Sequence, residues 1–155
     1  VWLMGGLYRA EWIDILILTP ITFIGLFLLL KLAWDINVLN VGEEVAVNLG
    51  VDVYKVRRNG SVIAAFLTSC IVAFTGIIGF IGLVAPHICR MIIGNDNRFL
   101  ILASGIMGSI FLLGADTIAR IIISPAELPV GIITSLIGAP FFLYMLIKKR
   151  RSYWA

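Results

Sequence analysis

Charge is scarce in this chain of 155 residues. Asp, Glu, Lys and Arg together make up 14% of the sequence, and none of them occurs between Arg58 and Arg90. Hydrophobic residues supply 61%, and the mean hydropathy of +1.06 exceeds that of a water-soluble domain. This composition excludes an ordinary soluble fold, and the long apolar blocks indicate helices that cross a membrane.

Histidine and cysteine are also nearly absent. His87 is the single histidine, and the two cysteines, Cys70 and Cys89, lie in separate apolar blocks without CxxC spacing. We therefore predict no metal site and no catalytic residue, and the cysteines are typical of small buried hydrophobes. The chain contains no GxxxxGK[ST] phosphate-binding loop, so we expect no cofactor on this chain and no ATPase activity of its own. Its amino end has neither a basic segment nor an initiator Met, so we expect preceding spans to be missing.

The apolar blocks predict the fold class, an all-α polytopic transmembrane helix bundle. Glycines at 76, 79 and 82 indicate a reversal, which leaves the third span short. The charged segment 33–59 is predicted to be a loop at the aqueous surface, because its charges cannot lie in hydrocarbon. Within residues 1–155 the predicted spans cover about 12–32, 61–77, 81–93, 99–123 and 130–147.

Basic residues predict the orientation. Ten of the twelve Lys and Arg residues fall on one side of this arrangement, including the tail Lys148–Arg151. Cytoplasmic flanks of spans are enriched in Lys and Arg, so we predict a multi-pass protein of the cell membrane with a cytoplasmic C-terminus. A basic cluster directly after a span also suits anionic lipid, and nucleic acid is not an expected partner.

A short helix is predicted within the segment 38–53. Two glycines bracket it, and its acidic start suits the positive end of a helix dipole. Val45, Ala46 and Leu49 can form one apolar face of this helix. Two interpretations remain open: insertion into the groove of a partner protein, or contact with lipid, which adjacent glutamates disfavour. The residues concerned are Gly42, Glu43, Glu44, Val45, Ala46, Leu49 and Gly50.

The run Gly79 to Arg90 interrupts an apolar block with Pro86 and His87. Proline removes one amide donor and frees the carbonyl four residues earlier, which loosens a helix. We expect the imidazole of His87 to donate a hydrogen bond to that carbonyl, while a ligand or proton-relay role stays open as the alternative.

Asp116 and Arg120 form an i, i+4 pair inside an apolar segment, where either charge alone would be costly. The two side chains can neutralise each other. Alternatively, Arg120 lies close enough to the outer surface to present its guanidinium to water.

Five motifs follow one another along the chain. They are Trp2-Leu-Met-Gly-Gly6; Leu39-Asn-Val-Gly-Glu43 through Leu49-Gly50; Gly79-Phe-Ile-Gly-Leu-Val-Ala-Pro-His87 with Arg90; Ala115-Asp116 with Ala119-Arg120; and Glu127-Leu-Pro-Val-Gly131 leading to Gly138-Ala-Pro-Phe141. In this order they resemble the C-terminal half of a FecCD/BtuC-type permease of the ABC importers for iron-siderophores, haem and cobalamin. The resemblance implies about five spans of a ten-span permease fold, with the N-terminal half missing.

The resemblance also implies roles for residues and partners. The segment 38–53 matches the loop that couples to separate ABC ATPase subunits, which would bind the ATP. A gate near the short span is implied for Gly79, Gly82, Pro86, His87 and Arg90. Arg120 and Glu127 match the outer region that docks an extracytoplasmic substrate-binding protein, and a second permease copy would complete the pathway for inward transport by alternating access.

Two alternative functions stay open on the sequence. One is a half-size secondary carrier driven by an ion gradient, with Asp116 or His87 binding the coupling ion. The other is a permease remnant that does not transport. Dependence of uptake on ATP rather than on an ion gradient would separate the first alternative from the importer.

Overall fold

The computed structural model describes residues 5–7, 10–122 and 129–152, and within that part of the chain every regular element is an α-helix. The all-α fold class is therefore confirmed. The helices are α1 (Trp12–Val41), α2 (Glu43–Asn48), α3 (Val53–Thr75), α4 (Ile81–Ile93), α5 (Asn97–Ile122) and α6 (Val130–Ser152).

Helix α1 is longer than predicted. The expected loop over 33–59 is wrong for most of that segment, because α1 continues to Val41 and α3 already begins at Val53. A helix of 30 residues measures about 45 Å, against roughly 30 Å for the hydrocarbon core of a bilayer. Charged residues are tolerated in the excess length, which we call the α1 overhang and define as residues 33–41.

In the described part of the chain, three helices are long and apolar enough to cross a membrane: α1, α3 and residues 97–121 of α5. Helix α4 and residues 130–145 of α6 are apolar but shorter. These five helices cover the predicted spans, and the crossing of the membrane by all five remains a prediction.

The helices pack side by side in a bundle. Helix α3 packs on α1, α1 packs on α5, and α5 packs on both α4 and α6, while α4 and α6 also touch each other. A cluster of buried apolar residues lies between α5 and α6, at Ala115, Ala119, Val130 and Ile133. Small residues at such crossings let helix backbones approach closely. Many large apolar side chains of the long helices face outward, as expected where lipid or further helices would cover them.

The ends of the helices lie at two opposite ends of the bundle. At one, the glycine end, Gly5 N–H donates to the Ile77 carbonyl at 3.2 Å, and Gly131 N–H donates to the Gly5 carbonyl at 3.1 Å. The first and last glycine-containing motifs of the sequence therefore meet there. The opposite end, the α2 end, holds the α1 overhang, α2 and the turn between α4 and α5.

Candidate functional site

Two glycines fix the direction of α2. Gly42 has φ 154° and ψ 148°, a conformation that is essentially restricted to glycine, and it makes the corner between α1 and α2. At the other end Gly50 has φ 80°, Val51 N–H donates to the Ala46 carbonyl at 2.9 Å, and Gly50 N–H donates to the Val47 carbonyl at 3.0 Å. These bonds form a Schellman motif, which ends a helix cleanly. The predicted short helix is thus present.

The apolar side chains of α2 divide between two faces. Ala46 is 0% exposed, whereas Val47 is 63% and Leu49 is 67% exposed. The prediction that Val45, Ala46 and Leu49 share one outward face is wrong for Ala46. Helix α2 packs against α1 and α3, and the small methyl group of Ala46 occupies that contact. The exposed apolar residues are Val45, Val47 and Leu49.

Acidic groups accompany this exposed apolar surface. Glu43 forms an ion pair with Arg57 of α3, which ties the start of α2 to its neighbour, and Glu44 is exposed. A shallow cavity of about 500 Å³ opens on this side, lined by Glu43, Glu44, Val47, Asn48 and Val53. The surface offers carboxylates beside apolar groups, so it suits a protein partner that carries basic and apolar residues.

Asp52 caps the start of α3, the helix that follows α2. Its carboxylate accepts a hydrogen bond from the Lys55 amide at 3.0 Å and lies 3.0 Å from Lys55 Nζ. The amide bond, followed by the side-chain bond to the same lysine, lowers the pKa of Asp52 below its ordinary value. The cap stays charged at neutral pH.

His87 packs against α6. Its ring lies 6.4 Å from the ring of Phe141, with an angle of 71° between the planes. The expected hydrogen bond from His87 to the freed Gly82 carbonyl is not formed within the described residues, because the imidazole turns towards α6 instead. Pro86 lies inside α4, which continues to Ile93.

The other predicted gate residues lie along the same helix and the turn before it. Gly79 is in the turn between α3 and α4, beside Ser135 of α6. Gly82 is exposed in the first turn of α4, and Arg90 is exposed in its last turn. The structure thus places four of the predicted gate residues on a short helix that packs on α5 and α6, and the fifth, Gly79, in the turn before it.

The start of α4 is held by an unusual contact. Phe80, the residue before α4, has φ 67°, a left-handed conformation that costs energy for any residue other than glycine. Its side chain packs directly on the backbone of Gly138 in α6, where a β-carbon would lie 2.7 Å from Phe80 Cγ. Gly138 therefore makes room for Phe80, and this contact fixes the position of α4 on α6.

A larger cavity lies next to this contact and was missed by the sequence analysis. It has a volume of about 660 Å³ and is lined mainly by apolar and small residues of α6 and of the turn between α3 and α4: Ile77, Gly79, Gly131, Ile132, Ser135, Leu136, Ala139 and Pro140. Gly131, Ser135 and Ala139 are each four residues apart, and this spacing of small residues was the signal in the sequence.

The predicted pair of Asp116 and Arg120 is formed in the last turns of α5. Arg120 Nε lies 2.8 Å from Asp116 Oδ2, and the side chains are 64% and 16% exposed respectively. The carboxylate is therefore sheltered, while the guanidinium also reaches the surface near the glycine end. Glu127, the second predicted docking residue, lies outside the described residues. In the described part of the chain no group of three or more His, Cys, Asp or Glu side chains could hold a metal ion.

A polar cluster at the α2 end was also missed. Asn37 Nδ2 donates to Asp96 Oδ1 at 2.7 Å, and Asn37 Oδ1 accepts from both the amide and the side chain of Asn97 at 2.8 Å. Trp34 lies one turn before Asn37 on α1, and the centre of its ring is 4.2 Å from the guanidinium of Arg98. We call these five residues the Asn37 cluster. No signal in the sequence pairs them, because residues 33–59 were predicted to be a loop.

The profile of the FecCD transport family matches residues 1–148. The chain belongs to the FecCD transport family. It is 47% identical over 145 residues to the cobalamin import system permease protein BtuC of Halobacterium salinarum, a match that covers 94% of this chain and 39% of that protein. It is 41% identical over 152 residues to the hemin transport system permease protein HmuU of Yersinia pestis, covering 98% of this chain and 46% of that protein.

A solved structure shares the fold. The chain superposes with a TM-score of 0.87 at 35% identity on an inward-facing conformation of a transporter assigned to the metal-chelate type of ABC transporters. That match covers 95% of this chain and 49% of the solved chain. The chain thus spans less than half the length of each of these three proteins. Family membership and apolar helices together identify an integral membrane protein of the permease class.

Proposed function

We propose that this chain is a transmembrane component of a binding-protein-dependent ABC importer that carries chelates such as iron-siderophores, haem or cobalamin into the cell. The observation that carries the proposal is α2. It is a short helix fixed between two glycines, with carboxylates and exposed apolar groups, at one end of a fold that matches an ABC transporter chain. This surface suits an ATPase subunit, and the basic tail supports a cytoplasmic position for that end.

Transport would follow from unequal stabilisation of two states of the bundle. A loaded substrate-binding protein docks at the glycine end, where Arg120 reaches the surface and where Glu127 was predicted to contribute. ATP binding draws two ATPase subunits together and moves α2, and the helices tilt to open the pathway inward. ATP hydrolysis takes place on the separate ATPase chains, and the substrate is not chemically altered. A second permease copy and the N-terminal half complete the pathway.

The cavity beside α6 supports a bulky cargo. Its volume of about 660 Å³ and its lining of small and apolar side chains leave room for a large ligand without fixing its orientation by charge. Cobalamin and hemin are named for two relatives, and both fit this class of cargo. We assign the cavity to one wall of the pathway.

The environment of Asp116 and His87 argues against an ion-coupled carrier. A coupling carboxylate has to change its charge state during transport, but Asp116 is held in an ion pair with Arg120. His87 packs edge to face on Phe141, and in the described part of the chain no carboxylate forms an ion pair with it. Among the residues that the structure describes, neither group has the paired proton acceptor that a relay requires.

Co-purification tests the docking role of α2. The permease complex is purified with its cognate ATPase subunits from cells that express the wild type or the double variant Glu43→Lys and Glu44→Lys. We expect the ATPase to be lost from the variant, because two carboxylates on the docking surface become cations. Glu11→Lys, a charge reversal at the opposite end of α1, is the matched control and should retain the ATPase. Retention of the ATPase by the double variant would refute docking at α2.

A further inference from the structure

The predicted gate helix and the docking helix do not touch. Among the described helices α2 contacts α1 and α3, whereas α4 contacts α5 and α6. Movement of α2 therefore has to pass through another element before it reaches α4. The α1 overhang is one candidate, since it is continuous with the corner at Gly42 and runs to the turn between α4 and α5.

We propose that the Asn37 cluster transmits movement of α2 to α4, with Asn37 as the positioning residue. This inference rests on the proposed function, since it assumes that an ATPase moves α2. It adds to that function a specific mechanical connection between the α1 overhang and the turn from α4 to α5.

The hydrogen bonding of Asn37 suits this role. Its amide group donates to Asp96 and accepts from the backbone N–H of Asn97, the first residue of α5. The first amides of a helix have no partner within the helix, so Asn37 caps α5 from a different helix. Asp96 Oδ1 in turn accepts from the Arg98 amide at 3.0 Å. The oxygens that accept from these two amides at the start of α5 are therefore connected through the side chain of Asn37.

A second contact on the same face of α1 gives the connection a fixed direction. Trp34 lies three residues before Asn37, so the two side chains project from neighbouring turns on one side of the helix. The start of α5 is thus held to α1 at two points, by the stacking of Arg98 on Trp34 and by the hydrogen bonds of Asn37. Two contacts resist rotation as well as separation, whereas a single contact would act as a hinge.

Helices α4 and α5 are built to move together. Only residues 94–96 separate them, and Gly94, with φ 93°, makes the turn. Along the pair, Gly108 of α5 faces Ile81 and Ala85 of α4, and a β-carbon at Gly108 would lie 3.5 Å from the Ile81 side chain. A displacement of the α5 start is therefore carried to α4, which bears Pro86 and His87.

The test uses the complete transporter, with its ATPase and binding protein, in proteoliposomes. Two rates are measured: ATP hydrolysis and uptake of a radiolabelled iron-siderophore, haem or cobalamin, whichever the wild type transports. For Asn37→Ala we expect ATP hydrolysis within about twofold of wild type. Uptake per ATP hydrolysed should fall by a factor of about five or more, which is the scale of a typical coupling energy. Asn59→Ala, the same change at an exposed position of α3, is the control and should leave both rates unchanged.

The exchange variant Asn37→Asp with Asp96→Asn separates coupling from general damage. Asn37→Asp alone removes the donor and sets two carboxylates against each other, so it should lower uptake per ATP. The exchange again provides a donor and an acceptor across the contact, so uptake per ATP should return to within about twofold of wild type. An unchanged ratio in Asn37→Ala, an equal loss of hydrolysis and uptake, or failure of the exchange to rescue would each overturn the proposal. Absence of ATP-dependent uptake in the wild type would instead overturn the proposed function.

Discussion

The contact between Phe80 and Gly138 gives the sharpest test of how α4 is held on α6. In Gly138→Ala the new β-carbon would lie 2.7 Å from Phe80 Cγ and closer still to Phe80 Cβ. Carbon atoms normally pack at about 3.5–4.0 Å, so the two backbones have to separate by roughly 1 Å. Phe80 cannot easily rotate away, because its backbone is already in the left-handed region.

The expected loss of stability follows from two opposing terms. Overpacking of this kind costs about 1–3 kcal/mol, and the overlap here places it at the upper end. Alanine regains about 1 kcal/mol over glycine inside a helix. The net loss is therefore about 2 kcal/mol, which corresponds to a fall in Tm of about 4–8 °C for a chain of this size.

Thermal unfolding of the purified permease in detergent measures this difference. Gly114→Ala is the matched control: it is also inside a helix, but a β-carbon there meets nothing within 4 Å. We expect Gly114→Ala to raise the Tm or leave it unchanged while Gly138→Ala lowers it. Equal Tm values for the two variants would refute the packing of α4 on α6 as described.

Three further predictions concern the glycine end, the α2 corner and the Asn37 cluster. Gly5→Ala should lower the Tm in the same assay, since a β-carbon would approach the Ile77 carbonyl carbon within 2.7 Å and break the hydrogen bonds at the glycine end; an unaltered Tm would contradict this. Gly42→Ala should weaken binding of the ATPase in a pull-down, because its φ of 154° strains any other residue by about 1–3 kcal/mol and α2 would turn away; wild-type binding would contradict this. Hydrogen bonds from Asn37 and then from the Arg98 amide lower the pKa of Asp96 below its ordinary value of 3.8. The carboxylate therefore stabilises the fold above pH 3.8 and loses this effect as the pH falls through the lower folded-state pKa. The Tm difference between wild type and Asp96→Asn should accordingly be present near neutral pH and vanish in strong acid, and a difference independent of pH would contradict the assignment.

Much of the fold followed from the apolar blocks and from glycine. The absence of charge between Arg58 and Arg90, with glycines in its middle, indicated two apolar helices joined by a turn, and α3, the turn and α4 lie there. Gly42 and Gly50 bracket α2 as predicted, because each adopts a positive φ that other residues avoid. Local backbone chemistry of this kind is visible in a sequence.

Contacts between distant residues were less predictable. Charge density marked 33–59 as aqueous, but aqueous exposure does not end a helix, and no proline or glycine lies between Gly25 and Gly42. The link between Asn37 and Asp96 depends on α1 continuing past the membrane, so it could not be inferred once that segment was taken as a loop. Ala46 was placed on the wrong face for a related reason, since the packing of α2 on α1 and α3 decides which side is buried.

Uptake into proteoliposomes that contain the complete transporter tests the central claim most directly. The permease with its N-terminal half, the ATPase and the loaded binding protein are reconstituted, and chelate uptake is measured with and without ATP at the ATPase side and with a protonophore. We predict uptake that requires hydrolysable ATP and persists when the proton gradient is dissipated. Uptake that proceeds without ATP and collapses with the protonophore would contradict an ABC importer and favour an ion-coupled carrier.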